Sequence, residues 1–433
     1  MPPSCVRRAV CLRASDCDCM AMFSECIECR GTRGMCGISP CPLLADIRGR
    51  LPVVQSGSVS ELVGPSPPAL FVGRYGYPDV RAGPSAAWVP DDSNAAPLAS
   101  GDPADLFGRP LEEVAARHAN LITGGSVMPV NSTSSPGTML ETTQEIAMAE
   151  KSVDVELDFA KPIMVGRNPT FDSMSTPLGP SGEVLRAEVV GHASIPRKVD
   201  SIANEEDLLA VDAMGELTEA SIGEAQISRL LSSGLLGREG SRKLVPTRWG
   251  ITATDDMLGK RLWDRVRDHP SLDKVLVYEA TYLDNIFHII LTPGLWAFHM
   301  LEAWTRGSVW TDSGKVLGDW EDLKPRTEYA HQITGAYYSA RLGVLEHMDS
   351  MRRSGACLIW RDIGPEYWAP VGVWLIRETV REAMKGTARQ FDSLKQAINY
   401  VSPRVSAPDD LRNSWFVKRE CQTRLDSFAS EGF

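Results

Sequence analysis

The sequence predicts an α+β fold: mixed helices and short strands in one large core, with an N-terminal four-cysteine zinc knuckle and a flexible C-terminal tail. Three observations lead there. Helical and strand periodicities both occur, without the regular βαβ alternation of a parallel sheet. Eight of the 10 cysteines (Cys5, Cys11, Cys17, Cys19, Cys26, Cys29, Cys36 and Cys41) crowd into the first 41 residues. From Val401 the chain turns polar, with Pro403 and Pro408 close by.

With 433 residues, 43% hydrophobic and 23% charged, the chain can bury a sizeable core, which excludes global disorder. A formal net charge of −11 excludes a protein that coats nucleic acid over its whole surface. Apolar stretches such as Phe287 to Leu291 fall far short of the roughly 18 to 20 residues that span a bilayer, so no membrane association is expected. Met1 to Cys19 carries Arg7, Arg8, Arg13, Asp16 and Asp18 and lacks the apolar run of a signal peptide. The compartment therefore reads as reducing and cytoplasmic, where clustered thiols hold metals more often than they form disulfides. Composition divides the chain into an extension over residues 1–21, a four-cysteine, zinc-finger-like segment over 22–50, a globular core over 51–400 and a tail over 401–433.

Along the core, Leu70-Phe71-Val72 reads as a short strand, and Gly73 to Asp79, dense in Gly and Pro, as a structured loop. Glu141 to Glu150 has helical character; Val153, Val155, Leu157 and Phe159 then alternate with acids as a half-exposed strand. Apolar spacing from Asn204 predicts helices that stop at Gly234. Thr254 or Asp255 is placed to cap a helix carrying Leu258, Leu262 and Val266. Lys274 to Tyr282 and Ile286 to Thr292, joined across Asp284-Asn285, predict a β-hairpin. A Trp-bearing helix (Leu295 to Trp304), a long helix from Glu328 to Arg353, a strand at Cys357 to Arg361 and a helix opened by Pro370 complete the expectation.

Cys26-x2-Cys29-x6-Cys36-x4-Cys41 offers four thiolates in one short segment, with Gly31, Gly34 and Gly37 allowing it to turn back on a single ion. Four sulfurs suit a closed tetrahedral Zn²⁺ site, which would replace the core so short a segment cannot build. An iron–sulfur cluster is the main rival, and unmetallated thiols the plainest alternative. Near the other end, Gln422, Leu425 and Phe428 form a Gln-x-x-Leu-x-x-Phe pattern. One helical turn would set Leu425 and Phe428 side by side to plug a groove. The pattern resembles the motif by which replication and repair proteins bind the ring-shaped sliding clamp (PCNA), called a PIP motif. Its second aromatic place holds Ala429, which removes one anchor and predicts weaker docking. The competing expectation is a turn packed back on the core.

The Cys quartet, the loop Leu70-Phe-Val-Gly-Arg-Tyr-Gly-Tyr-Pro-Asp-Val80, the segment Arg242-Lys-Leu-Val-Pro-Thr-Arg-Trp-Gly-Ile-Thr-Ala-Thr-Asp-Asp256 and the clamp-like tail occur in one chain. Together they resemble the archaeal Nre family of DNA repair proteins, over nearly everything from Cys26 to Phe433. The resemblance implies a role in DNA damage repair, a metal site at Cys26, Cys29, Cys36 and Cys41, and clamp binding through the tail. Ala429 and the Cys-bearing extension before Met20 depart from the pattern.

In the two internal segments, Arg74, Arg81, Arg242, Lys243 and Arg248 can contact a DNA backbone, while Tyr75, Tyr77 and Trp249 can stack on an unpaired base. Asp255 and Asp256 could hold Mg²⁺ for phosphodiester cleavage beside Arg248; the plainer expectation is acidic residues opening a helix. The seven histidines form no metal or triad pattern, and phosphate-binding Gly-rich loops are missing, so no nucleotide cofactor is expected. Three functions follow: a clamp-tethered DNA repair factor, a metal-dependent nuclease or other DNA-processing enzyme using Asp255 and Asp256, and an adaptor that makes no DNA contact.

Overall fold

The computed structural model describes residues 57–88, 102–165, 170–172, 175–305 and 315–421. The stretch read from sequence as one α+β core comprises two compact units. The first takes Met1–Leu258 with Trp368–Gly372, the second Gly259–Tyr367 with Val373–Phe433. The mixed helix and strand content is as expected. The Cys quartet and Gln422 to Ala429 lie outside the described residues.

The first unit is built on a six-stranded sheet. Its strands are β1 (Gly57–Ser66), β2 (Leu70–Val72), β3 (Asp79–Ala87), β4 (Leu121–Pro129), β5 (Val153–Val165) and β8 (Ser181–Val190), in the order β1-β5-β8-β4-β3-β2. A separate ribbon joins β6 (Thr170–Asp172) to β7 (Ser175–Leu178). Every neighbouring pair in the six-stranded sheet is antiparallel except β4 with β8. β5 keeps the expected alternation: Val153, Val155, Leu157 and Phe159 are buried while Asp154 is exposed. Those four pack with Ile122, Ile146 and Val184 into the core of this unit. The helix Thr138–Met148 contributes Ile146 to that core. As expected from Asn204 onward, Ala210–Glu219 and Glu224–Ser232 are helical, and the chain turns at Gly234 with φ +74°.

The second unit carries β9 (Val275–Tyr282), β10 (Asn285–Thr292), β11 (Ala297–Trp304), β12 (Val316–Asp322), β13 (Ala356–Ile363) and β14 (Arg389–Phe391), ordered β12-β11-β13-β10-β9-β14. The β9–β10 hairpin forms as expected, but its two-residue turn is Leu283-Asp284, both at positive φ (47° and 56°), rather than Asp284-Asn285: Asn285 already pairs with Tyr282 as the first residue of β10. Helices flank both faces. Gly335–Met351 meets one, where Tyr337 packs edge-on to Phe298. Leu394–Val401, Pro408–Arg412 and Trp415–Cys421 meet the other, burying Ile398, Leu411 and Phe416 with Val277, Ile290, Leu358 and Trp360.

Several expectations are corrected. Leu295 to Trp304 is no helix: it contains the strand β11, whose residues Ala297 to Ala303 are all buried. A strand covered on both faces hides its period of two, and here His299 and Glu302 are buried together with the apolar residues, so no alternation of polar and apolar positions marks the strand. The helix expected at Thr254 starts at Thr247 and runs to Val266, the carbonyl of Pro246 accepting from the amides of Trp249 and Gly250. The helix expected from Glu328 begins at Gly335, and that expected from Pro370 begins at Trp374. Val401, read as the start of the tail, is fully buried, and further short helices, Pro408–Arg412 and Trp415–Cys421, follow it. Among the described residues, no helix is long and apolar enough to cross a membrane.

Candidate nucleic-acid interface

The loop between β2 and β3 is tied at its base and open at its tip. Leu70 to Val72 pairs with Ala82 to Pro84, and the Gly73 amide donates to the Arg81 carbonyl at 2.8 Å. The Asp79 amide closes the turn on the Gly76 carbonyl at 3.0 Å. Gly76 sits at φ +85°, and a Cβ there would lie 2.7 Å from the Asp79 carbonyl oxygen, so only glycine fits. The Tyr77-Pro78 peptide bond is cis. This backbone turns its side chains outward: Tyr75 is 79% exposed and Tyr77 50%. The Arg74 guanidinium lies 5.0 Å from the centre of the Tyr75 ring and donates to the Tyr75 hydroxyl at 3.1 Å.

The second distinctive segment, Arg242 to Asp256, comes to the same place. Val130 stitches the two: its amide donates to the Pro78 carbonyl at 2.9 Å, and its carbonyl accepts from the Leu244 amide at 2.8 Å. Thr247 adds a direct tie, its Oγ1 accepting from the Val72 amide at 2.9 Å. Trp249, in the first turn of the helix Thr247–Val266, then stands 46% exposed with its ring 5.5 Å from that of Tyr77, tilted by 51°. The result is an outward aromatic surface of Tyr75, Tyr77 and Trp249 with one guanidinium already on it. Val130 and Thr247 are invisible to sequence reasoning because they act through backbone groups and one hydroxyl, which leave no motif.

The remaining sequence candidates are placed differently. Lys243 is exposed beside the stitched segment, and Arg81 is half-buried on β3. Arg242 serves the fold: its guanidinium donates to the carbonyls of Gly237, Ala203 and Glu205 at 2.8, 2.7 and 2.6 Å. Partial burial lowers its pKa, opposed by Glu239, Glu206 and Glu205. Arg248 is half-buried in the first turn of the same helix.

Asp255 and Asp256 lie in the interior of that helix rather than at its start, so neither can satisfy free amides there. Asp255 is buried and Asp256 half-buried. Consecutive helical residues project about 100° apart, so the two carboxylates do not face one ion together. Asp255 shares a helix face with Arg248, and Asp256 with Trp249, about 10 Å along the axis. Among the described residues, the one group of three side chains close enough to share a cation is Glu61, Glu156 and Asp158. Arg186 already pairs with Glu156 at 3.4 Å and Asp158 at 3.9 Å.

Comparison with known proteins adds to this geometry. Residues 35–311 match the family model described as archaeal Nre, N-terminal, and residues 321–428 match archaeal Nre, C-terminal. The chain is 34% identical over 409 residues to the DNA repair protein NreB of Archaeoglobus fulgidus, a span of 93% of this chain and 100% of that protein. It is 33% identical over 405 residues to the DNA repair protein NreA of the same organism, covering 93% of this chain and 98% of the relative. The DNA repair protein NreA of Haloferax volcanii is 33% identical over 374 residues, with 85% and 89% covered. No solved structure matches the chain.

Proposed function

This chain belongs to the archaeal Nre family, and from that premise we propose that it is a DNA damage repair factor that meets DNA through the aromatic face of its first unit and is recruited by the sliding clamp (PCNA). The observation that carries the DNA contact is the convergence of the two distinctive segments. Tyr75, Tyr77 and Trp249 offer exposed π-faces beside Arg74, with Lys243 exposed on the stitched segment. Aromatic rings serve unpaired bases of any identity, and the cations neutralise phosphate. The names of the three relatives support the repair role.

Recruitment rests on Gln422, Leu425, Phe428 and Ala429, and the expected metal on Cys26, Cys29, Cys36 and Cys41, which would hold one structural Zn²⁺. A reducing, cytoplasmic setting suits those thiols. Metal content of the purified chain tests the site: one zinc per chain is expected, lost on Cys26→Ser plus Cys29→Ser. Iron with sulfide would point to a cluster instead.

Fluorescence anisotropy of the full chain on single-stranded, gapped and duplex DNA, run across a salt series, tests the DNA contact. Binding that tightens where bases are unpaired and weakens with salt is expected. A flat response to all three substrates and to salt would leave only the adaptor. A nuclease built on Asp255 and Asp256 draws no support from the placement of those side chains.

A further inference from the structure

The last described helix lies over β11 and the edge strand β12 of the second sheet, Trp415 meeting both His299 and Trp320. Trp415 stacks on Trp320 of β12 with ring centroids 4.2 Å apart and planes 14° from parallel. One turn on, Arg419 pairs with Asp322 at 2.7 Å and reaches the Trp296 carbonyl at 3.4 Å. Four helical residues advance about 6 Å and two strand residues about 7 Å, so the helix runs alongside β12 in the same direction. Its C-terminal end therefore points at the corner where β12 ends and β11 begins.

That corner is apolar and open. Leu323, one residue beyond β12, is 56% exposed, and Leu295, just before β11, is 59% exposed. The Leu323 amide donates to the Trp296 carbonyl at 2.9 Å, which fixes the two segments together. Leu323 holds φ +60°, a left-handed conformation unfavourable for a leucine, yet its side chain gains no burial from it. Trp320 adds a third surface, 47% exposed despite its stack on Trp415.

Gln422 directly follows Cys421, the final residue of the helix. Only Glu420 and Cys421 separate it from Arg419, at most about 11 Å of chain. A partner seated on Gln422 to Ala429 is tethered beside this corner, Phe428 lying at most about 25 Å of chain from Cys421. We propose that the sliding clamp held by Gln422, Leu425 and Phe428 also buries Leu295, Leu323 and Trp320, so that it docks on the second unit at a set angle rather than swinging on a free tether. The inference rests on the clamp reading of the tail. It supplies an apolar contact where Ala429 has removed one from the motif.

Calorimetry of the purified clamp against full-length chains tests both levels. The tail variant Leu425→Ala plus Phe428→Ala is expected to abolish binding. The corner variant Leu295→Ser plus Leu323→Ser is expected to weaken it by about tenfold, with unchanged circular dichroism because both residues are exposed. An insertion of about ten Gly/Ser residues after Cys421 is expected to weaken binding while altering neither surface, by lowering the local concentration of one contact for the other. Wild-type affinity in the corner and insertion variants would overturn the corner contact and leave the clamp reading standing. Tighter binding by the corner variant would also overturn it, showing that the corner holds the chain's own tail. No binding by the wild-type chain would remove the clamp reading itself.

Discussion

Tyr77 and Trp249 meet at 5.5 Å, although one sits in a hairpin loop and the other in the first turn of a helix far along the chain. Both remain about half exposed, so the contact positions the rings without using up their outer faces. Stacking of a base on such a ring is worth roughly 1–3 kcal/mol. Tyr77→Ala and Trp249→Ala are each expected to weaken single-stranded DNA binding by about tenfold or more in anisotropy titrations. Because the rings touch, the double variant should lose less than the product of the two. The thermal midpoint should move little, as both residues lie at the surface.

Arg242 and Lys243 stand next to each other yet should respond to different measurements. Arg242→Ala strips donors from the carbonyls of Gly237, Ala203 and Glu205, which should cost about 2 kcal/mol of stability in urea titrations. Arg242→Lys should recover little of this, since one ammonium cannot span three carbonyls in the manner of a planar fork. Lys243→Ala should leave stability alone and reduce the slope of log affinity against log salt by about one. A large change of salt slope in Arg242→Ala with no loss of stability would reverse the two roles.

Where local chemistry dictates local shape, the chain is legible. The β9–β10 hairpin, the alternation of β5 and the stop at Gly234 each follow from residues a few positions apart. The Tyr and Trp candidates are legible as residue types, but their meeting is not, because it depends on Val130 joining Pro78 to Leu244 through backbone groups alone. β11 is hidden for the opposite reason: burial on both faces erases its alternation. Asp255 and Asp256 read as a helix start because Thr254 is a good cap, whereas Pro246 sets the start two turns earlier.

His299 predicts an acid-sensitive second unit. It sits buried on β11 against the edge of Trp415, its Nδ1 without a hydrogen-bond partner among the described residues. Burial pushes its pKa down to about 3. In the unfolded chain an imidazole titrates near 6.5, so the unfolded state binds the proton first and stability falls as pH drops from about 6.5 toward 3. The loss between pH 7 and pH 5 should be about 2 kcal/mol from this residue. His299→Leu should remove that part of the pH dependence; urea midpoints at pH 7 and pH 5 for the two chains measure the difference. Equal pH dependence in both would show that the imidazole is protonated in the folded chain.

Among the described residues, Glu321 and Arg341 make the most enclosed ion pair of the second unit, 2.9 Å apart with both side chains buried. Glu321 also accepts from Trp296 Nε1 at 3.0 Å and from the Arg326 amide at 2.9 Å, so its carboxylate joins β11, the turn after β12 and the helix Gly335–Met351. Removing one charge leaves the other desolvated, which typically costs about 3–5 kcal/mol. Glu321→Gln keeps the shape and part of the hydrogen bonding, so its loss would report the charge; Arg341→Met keeps most of the volume and should fall in the same range. The double variant is expected to lose clearly less than the sum, because the second substitution relieves the stranded partner left by the first. Urea unfolding followed by far-UV circular dichroism measures all three, and strictly additive losses would show that the two charges do not depend on each other.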